Sequence, residues 1–157
     1  MTLKPNHILI PLVTIAVAVI GSFLTTSGME WYNTELIQPA ITPPKIAFPI
    51  AWNIIFVLTT ISALIIYNNK KTPKNRKRII ADIFILNAAL NVLWSLLFFN
   101  LRLIEAALIE MTLLEMTIIA LIILIWRTSK FSAALLFPYA LWVAFATYLT
   151  TQITMLN

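Results

Sequence analysis

Uncharged apolar runs recur along the chain at Ile8–Thr26, Ala47–Tyr67, Ile79–Leu101, Ala106–Trp126 and Phe131–Leu156. Only Asp82 in the third run and Glu110 and Glu115 in the fourth interrupt them. Each run is close to the roughly 20 residues a helix needs to cross the hydrocarbon of a bilayer. The pattern predicts an all-α polytopic membrane protein, one domain over 1–157, with a five-helix bundle near 8–27, 47–67, 79–101, 104–126 and 131–154. Connections are predicted to be short, a basic loop over 68–78 among them, except for a lid-like loop over 28–46.

Composition agrees. The chain is 61% hydrophobic and 11% charged, with a mean hydropathy of +0.91, outside the range of soluble domains. Five spans leave too little sequence for a separate water-soluble domain. The first run is too long for a secretory signal and no small-x-small cleavage site follows, so it is expected to be retained. Pro11 is expected in its first turn, where a missing amide donor is tolerated.

Charge then sets orientation. The segment Asn68–Arg78 carries Lys70, Lys71, Lys74, Arg76, Lys77 and Arg78, and a connection this basic belongs in the cytoplasm. With Lys4, Arg127 and Lys130, nine basic residues fall inside, against Lys45 and Arg102 outside. The amino terminus is predicted cytoplasmic and the carboxy terminus outside. The +5 net charge is read as orientation, and no nucleic-acid partner is expected. With no cysteine and a single histidine, His7, disulfides, thiolate metal sites and Cys/His nucleophilic chemistry are excluded. No metal site and no required cofactor are expected.

The long loop carries Trp31 and Tyr32, then Pro39, Pro43 and Pro44, so its later half should be stiff and extended. Long ordered loops between membrane helices tend to be functional. In the third helix, Asn87, Asn91, Trp94, Ser95, Phe98 and Arg102 are separated by four, three, one, three and four residues, which places them on one face. Unsatisfied amides facing lipid cost several kcal/mol each, so this face should point into the protein. The second helix presents Trp52, with Asn53 beside it, and Phe56, Thr59 and Thr60. The last presents Tyr139, Trp142, Phe145, Ala146 and Leu149. Either an aromatic, amide-lined pocket or a packed core satisfies this pattern, and the pocket is favoured. Trp126, beside Arg127, reads as an interfacial anchor.

Ionisable residues in spanning helices are candidates for function. Asp82 is expected to pair with Arg78 or Lys77, and Glu105 to reach solvent or Arg102. Glu110 and Glu115, five residues apart, lie about 140° around the helix from one another and do not line one path. Glu115 is expected neutral or hydrogen-bonded at a helix interface. Pro138 should kink the last helix by releasing the carbonyl of Ala134.

These residues resemble the translocator protein family, also called tryptophan-rich sensory proteins or peripheral benzodiazepine receptors. The pieces that carry the resemblance are Trp31-Tyr32, Pro39, Pro43-Pro44 and Phe48-Pro49-Ile50-Ala51-Trp52; then Ala89-Leu90-Asn91-Val92-Leu93-Trp94 leading to Phe98-Phe99 and Arg102; and Phe137-Pro138-Tyr139 with Trp142-Val143-Ala144-Phe145-Ala146-Thr147. The resemblance implies a five-helix bundle, often a homodimer, whose first loop caps a cavity. Porphyrins, sterols in animal members, and benzodiazepine-like or isoquinoline drugs are the ligands it implies. Trp31 and Tyr32 would belong to the lid, with Trp52, Asn91, Trp94 and Trp142 lining the cavity and Ala146 and Leu149 forming an apolar wall. The basic residue of the animal sterol-associated pattern is missing, because no Lys or Arg follows Lys130, so the resemblance implies a bacterial-type member in a bacterial cell membrane, with a porphyrin rather than a sterol as ligand.

Three functions stay open at this point. The first is a receptor that binds a porphyrin as ligand, or as substrate for light- and oxygen-dependent breakdown with Trp52 and Trp142 against the pigment. The second is a small transporter of tetrapyrroles or hydrophobic drugs using Glu115. The third is a structural protein without a small ligand.

Overall fold

The computed structural model describes residues 5–157. Lys4, counted above among the cytoplasmic charges, lies outside them. The helices are α1 (Asn6–Thr34), α2 (Ala47–Asn68), α3 (Lys74–Ser95), α4 (Ile104–Trp126), α5 (Lys130–Ala134) and α6 (Phe137–Leu156). Leu96–Asn100 continues α3 as a π-helical turn, and α5 and α6 run on as one 27-residue span. The described chain therefore holds five segments long and apolar enough to cross a membrane, and it is an integral membrane protein. The end carrying the connection 35–46 is called the loop end, and the opposite one the basic end.

α4 is the axis of the bundle. Ala107, Met111, Leu114, Ile118, Leu121 and Ile125 are all buried, and their alternating spacing of four and three keeps one seam against the neighbouring helices. Three apolar clusters stack along it. Trp31, Tyr32, Phe98, Phe99 and Leu149 fill the loop end. Ile55, Tyr139 and Val143 fill the middle, and Ile66, Ile80 and Leu136 the basic end. Ser62 and Ser132 lock α2 to α5 through a hydroxyl pair at 2.9 Å, and each hydroxyl also contacts the other's carbonyl oxygen.

α1 behaves differently. Its buried residues are Gly28, Trp31 and Tyr32, all in the last two turns. There the helix is clamped to the π-helical turn, where Asn100 Nδ2 donates to the Leu24 carbonyl at 2.8 Å and Asn100 Oδ1 accepts from Ser27 Oγ at 2.9 Å. Gly28 makes this approach possible, since a Cβ there would lie 2.6 Å from the Phe99 carbonyl carbon. Below the clamp the side-chain hydrogen bonds of α1 are few and go to α2, such as Thr60 to Thr14 at 2.9 Å and Asn68 to His7 at 2.9 Å. Space is left between them.

Several boundaries depart from expectation. Residues 28–34 are helical rather than part of the loop, because Gly28 here serves close packing and not a turn; the loop shrinks to 35–46. The basic loop also shrinks, to 69–73, and Lys74 through Arg78 form the start of α3 after Pro73. Lys77 Nζ donates to the Tyr67 carbonyl at 2.7 Å, placing a cation at the negative end of α2. Pro11 sits at the sixth helical residue because α1 begins at Asn6. Pro138 does end a helix at Ala134, and the next begins with this proline in its first turn. The only ion pair among the described residues joins Arg102 to Glu35 at 3.9 Å. Asp82 is thus unpaired with Arg78 or Lys77, and Arg102 turns toward the end of α1 rather than to Glu105.

Candidate ligand-binding cavity

Between the loosely packed part of α1 and helices α2, α3 and α6, beneath the 35–46 connection, lies a cavity of about 860 Å³. That is within the roughly 300–1,000 Å³ typical of small-molecule sites. Its walls are built from aromatic pairs one helical turn apart, the spacing that puts two side chains on one face. On α2, Trp52 stacks with Phe56 at 5.6 Å and 29°. On α3, Trp94 stacks with Phe98 at 5.6 Å and 24°. From α6, Trp142 meets Phe48 edge-on at 5.8 Å, and Ala146 and Leu149 continue the wall toward the loop end. Three indoles from three spans therefore border one space.

Two of them carry a polar consequence. The indole N–H groups of Trp94 and Trp142 are buried with no hydrogen-bond partner, and a buried donor left unmade costs about 1–3 kcal/mol. Asn91 also borders the cavity. Its Nδ2 donates to the Tyr139 hydroxyl at 3.1 Å, which donates to Asn87 Oδ1 at 3.2 Å, while Asn87 Nδ2 donates to Thr117 Oγ1 at 2.8 Å. This chain ties α3 to α4 and α6 and fixes the Asn91 amide, whose Oδ1 accepts no protein hydrogen bond among the described residues.

The remaining candidates divide. Tyr32, Asn53, Ser95 and Phe98 border the cavity; Asn53 does so at an exposed position with its Nδ2 on the Pro49 carbonyl at 2.8 Å. Trp31 does not. It is buried on α1 against the edge of Phe98 at 5.9 Å and beneath the Arg102 guanidinium at 5.4 Å, so neither it nor Tyr32 belongs to a lid loop. Asn87 lies one turn deeper and borders instead a second cavity of about 220 Å³ nearer the basic end. Phe56 and Asn91 border both spaces. Neither Glu110 nor Glu115 lines either one. Both Glu110 carboxyl oxygens and one of Glu115 are buried without a partner. No group of three or more potential metal ligands occurs among the described residues.

Sequence reasoning missed the contribution of α1, namely Gly21, Ser22, Thr25 and Thr26, and that of the loop, Gln38, Thr42 and Lys45. The α1 set did leave a signal. Four small or hydroxyl residues recur at spacings of one, three and one in an otherwise aliphatic span, which marks one polar face.

Comparison with known proteins gives a consistent result. The family model described as TspO/MBR family matches residues 8–156. The chain is 35% identical over 144 residues to the tryptophan-rich protein TspO of Chlorobaculum tepidum, covering 91% of this chain and 90% of that protein. It is 32% identical to the tryptophan-rich protein TspO of Bacillus cereus over the full length of both. Identity is 25% with a tryptophan-rich sensory protein of Cereibacter sphaeroides, across 89% of this chain and 87% of the relative.

Proposed function

The chain belongs to the TspO/MBR family, and from that premise we propose that it is a membrane receptor for flat hydrophobic tetrapyrroles of the porphyrin class. The observation that carries this reading is the single cavity bordered by Trp52, Trp94 and Trp142. A planar macrocycle fits such walls because it presents a large π-face to the rings and polar edges to the Asn91 amide that borders the same space. Aromatic contacts contribute on the order of 1 kcal/mol each beyond area burial, and every 1.4 kcal/mol is about tenfold in affinity. Three such contacts plus burial of the macrocycle support micromolar binding. Benzodiazepine-like and isoquinoline compounds, also flat and aromatic, belong to the same proposal.

Light- and oxygen-dependent breakdown of the bound porphyrin is its enzymatic extension, with Trp52 and Trp142 as the indoles beside the pigment. It is tested by the loss of porphyrin absorbance under illumination with and without dioxygen. Transport has one observation in its favour, the two adjoining cavities that share Phe56 and Asn91. Glu115 borders neither cavity, which counts against a proton-coupled route through that residue.

The binding reading is tested by titrating protoporphyrin against the intrinsic tryptophan fluorescence of the parent and of Trp52→Phe, Trp94→Phe and Trp142→Phe. Weaker binding of roughly threefold to tenfold is expected for each variant. Unchanged affinity in all three overturns the assignment.

A further inference from the structure

Lys45 is the only charged side chain bordering the large cavity. The other cation at the loop end, Arg102, is held away over Trp31 and beside Glu35. No acid borders the cavity, so nothing on its wall neutralises the Lys45 ammonium. Lys45 is exposed and takes part in no ion pair or hydrogen bond among the described residues. The two polar neighbours on the same rim are turned to backbone carbonyls. Gln38 Nε2 donates to the Tyr32 carbonyl at 3.0 Å, and Thr42 Oγ1 donates to the Pro39 carbonyl at 2.7 Å. Lys45 also lies two residues before α2, whose amino end has no side-chain cap and adds positive potential to the same rim. The cavity therefore runs from an aromatic, uncharged interior to a cationic mouth.

We propose that Lys45 is the anion-recognition residue of this cavity, so that the site prefers an amphiphilic ring system bearing carboxylates on one edge over a neutral or esterified one. This rests on the reading of the cavity as a tetrapyrrole site. The ring enters between the indoles while its carboxylate stays at the mouth, where the ammonium donates a charge-assisted hydrogen bond. An apolar wall on one side weakens solvent screening there relative to an open surface. Selectivity follows from the same geometry. Esterification removes the charge while keeping the ring, so it abolishes the contact at Lys45 and leaves those at the indoles.

The test compares protoporphyrin IX with its dimethyl ester by tryptophan-fluorescence quenching of the full chain in nanodiscs of uncharged lipid, so that the bilayer does not bias the two. The parent is expected to bind the free acid about tenfold more tightly. Lys45→Met should bring the acid down to the affinity of the ester without altering ester binding. Lys45→Arg should retain the preference, and raising the salt concentration should narrow it. Equal affinity of acid and ester in the parent, or a preference that persists in Lys45→Met, overturns the assignment of Lys45 while leaving the tetrapyrrole site standing. Absence of quenching by either compound overturns both.

Discussion

Replacing Gly28 by alanine perturbs the contact on which the position of α1 depends. The added Cβ would lie 2.6 Å from the Phe99 carbonyl carbon and 2.7 Å from the Phe99 Cβ, and closer still to the carbonyl oxygen. These are mostly backbone atoms of the π-helical turn, so no rotamer change relieves the overlap. The two segments must separate by roughly 1 Å, and overpacking of this kind costs about 1–3 kcal/mol. The Asn100 bonds to Leu24 and Ser27, at 2.8 and 2.9 Å, span the same crossing and lengthen with it. For a chain of this length about 2–4 °C is lost per kcal/mol, so the melting temperature should fall by roughly 2–12 °C. Phe98 and Phe99 move with the turn, so protoporphyrin affinity should weaken as well. Gly21→Ala is the internal control. Its Cβ would meet only Ser95 Oγ at 3.8 Å, and losing a helical glycine gains roughly 0.5–1 kcal/mol, so stability should hold or rise. Thermal unfolding followed by circular dichroism in detergent measures both variants. If Gly28→Ala melts with the parent, or if the two substitutions behave alike, the close crossing of α1 and the π-helical turn is wrong.

Asn87→Leu removes the donor to Thr117 and the acceptor for the Tyr139 hydroxyl, leaving a buried donor unmade at about 1–3 kcal/mol. Because Asn87 does not border the large cavity, the melting temperature should drop while protoporphyrin affinity stays within about twofold of the parent; a tenfold loss of affinity would return Asn87 to the site. Arg102 has a φ of 57°, a backbone region that costs a non-glycine residue roughly 1–2 kcal/mol. Arg102→Gly relieves this and offsets the loss of the cation–π contact with Trp31, worth about 0.5–1 kcal/mol, whereas Arg102→Ala loses the contact and keeps the strain. The alanine variant should therefore melt below the glycine variant, and equal melting would contradict the argument.

The spans were legible in the sequence because a stretch of about twenty apolar residues has few other uses, and the facing of Asn91 and Trp94 followed from helical spacing alone. Trp52, Trp94 and Trp142 were legible as inward-facing for the same reason. The end of α1 was not. Gly28 reads as a breaker until its neighbour across the interface is known, and Trp31 and Tyr32 then follow a helix rather than a loop. The π-helical turn at Leu96–Asn100 leaves no mark in the periodicity, yet it re-aims Phe98 and Phe99. Pairings such as Arg102 with Glu35 depend on the direction in which a single left-handed residue sends the chain, which spacing does not encode. The contribution of Gln38, Thr42 and Lys45 to the mouth was hidden likewise, since an irregular connection has no period to read.

The most direct test of the central claim is a structure of the chain in a bilayer mimic with protoporphyrin bound. The account predicts a macrocycle inside the large cavity, its faces against Trp52, Trp94 or Trp142 and one edge beneath the 35–46 connection. A pigment bound on the lipid-facing surface, with indole side chains closing the space between α1, α2 and α6, would contradict it.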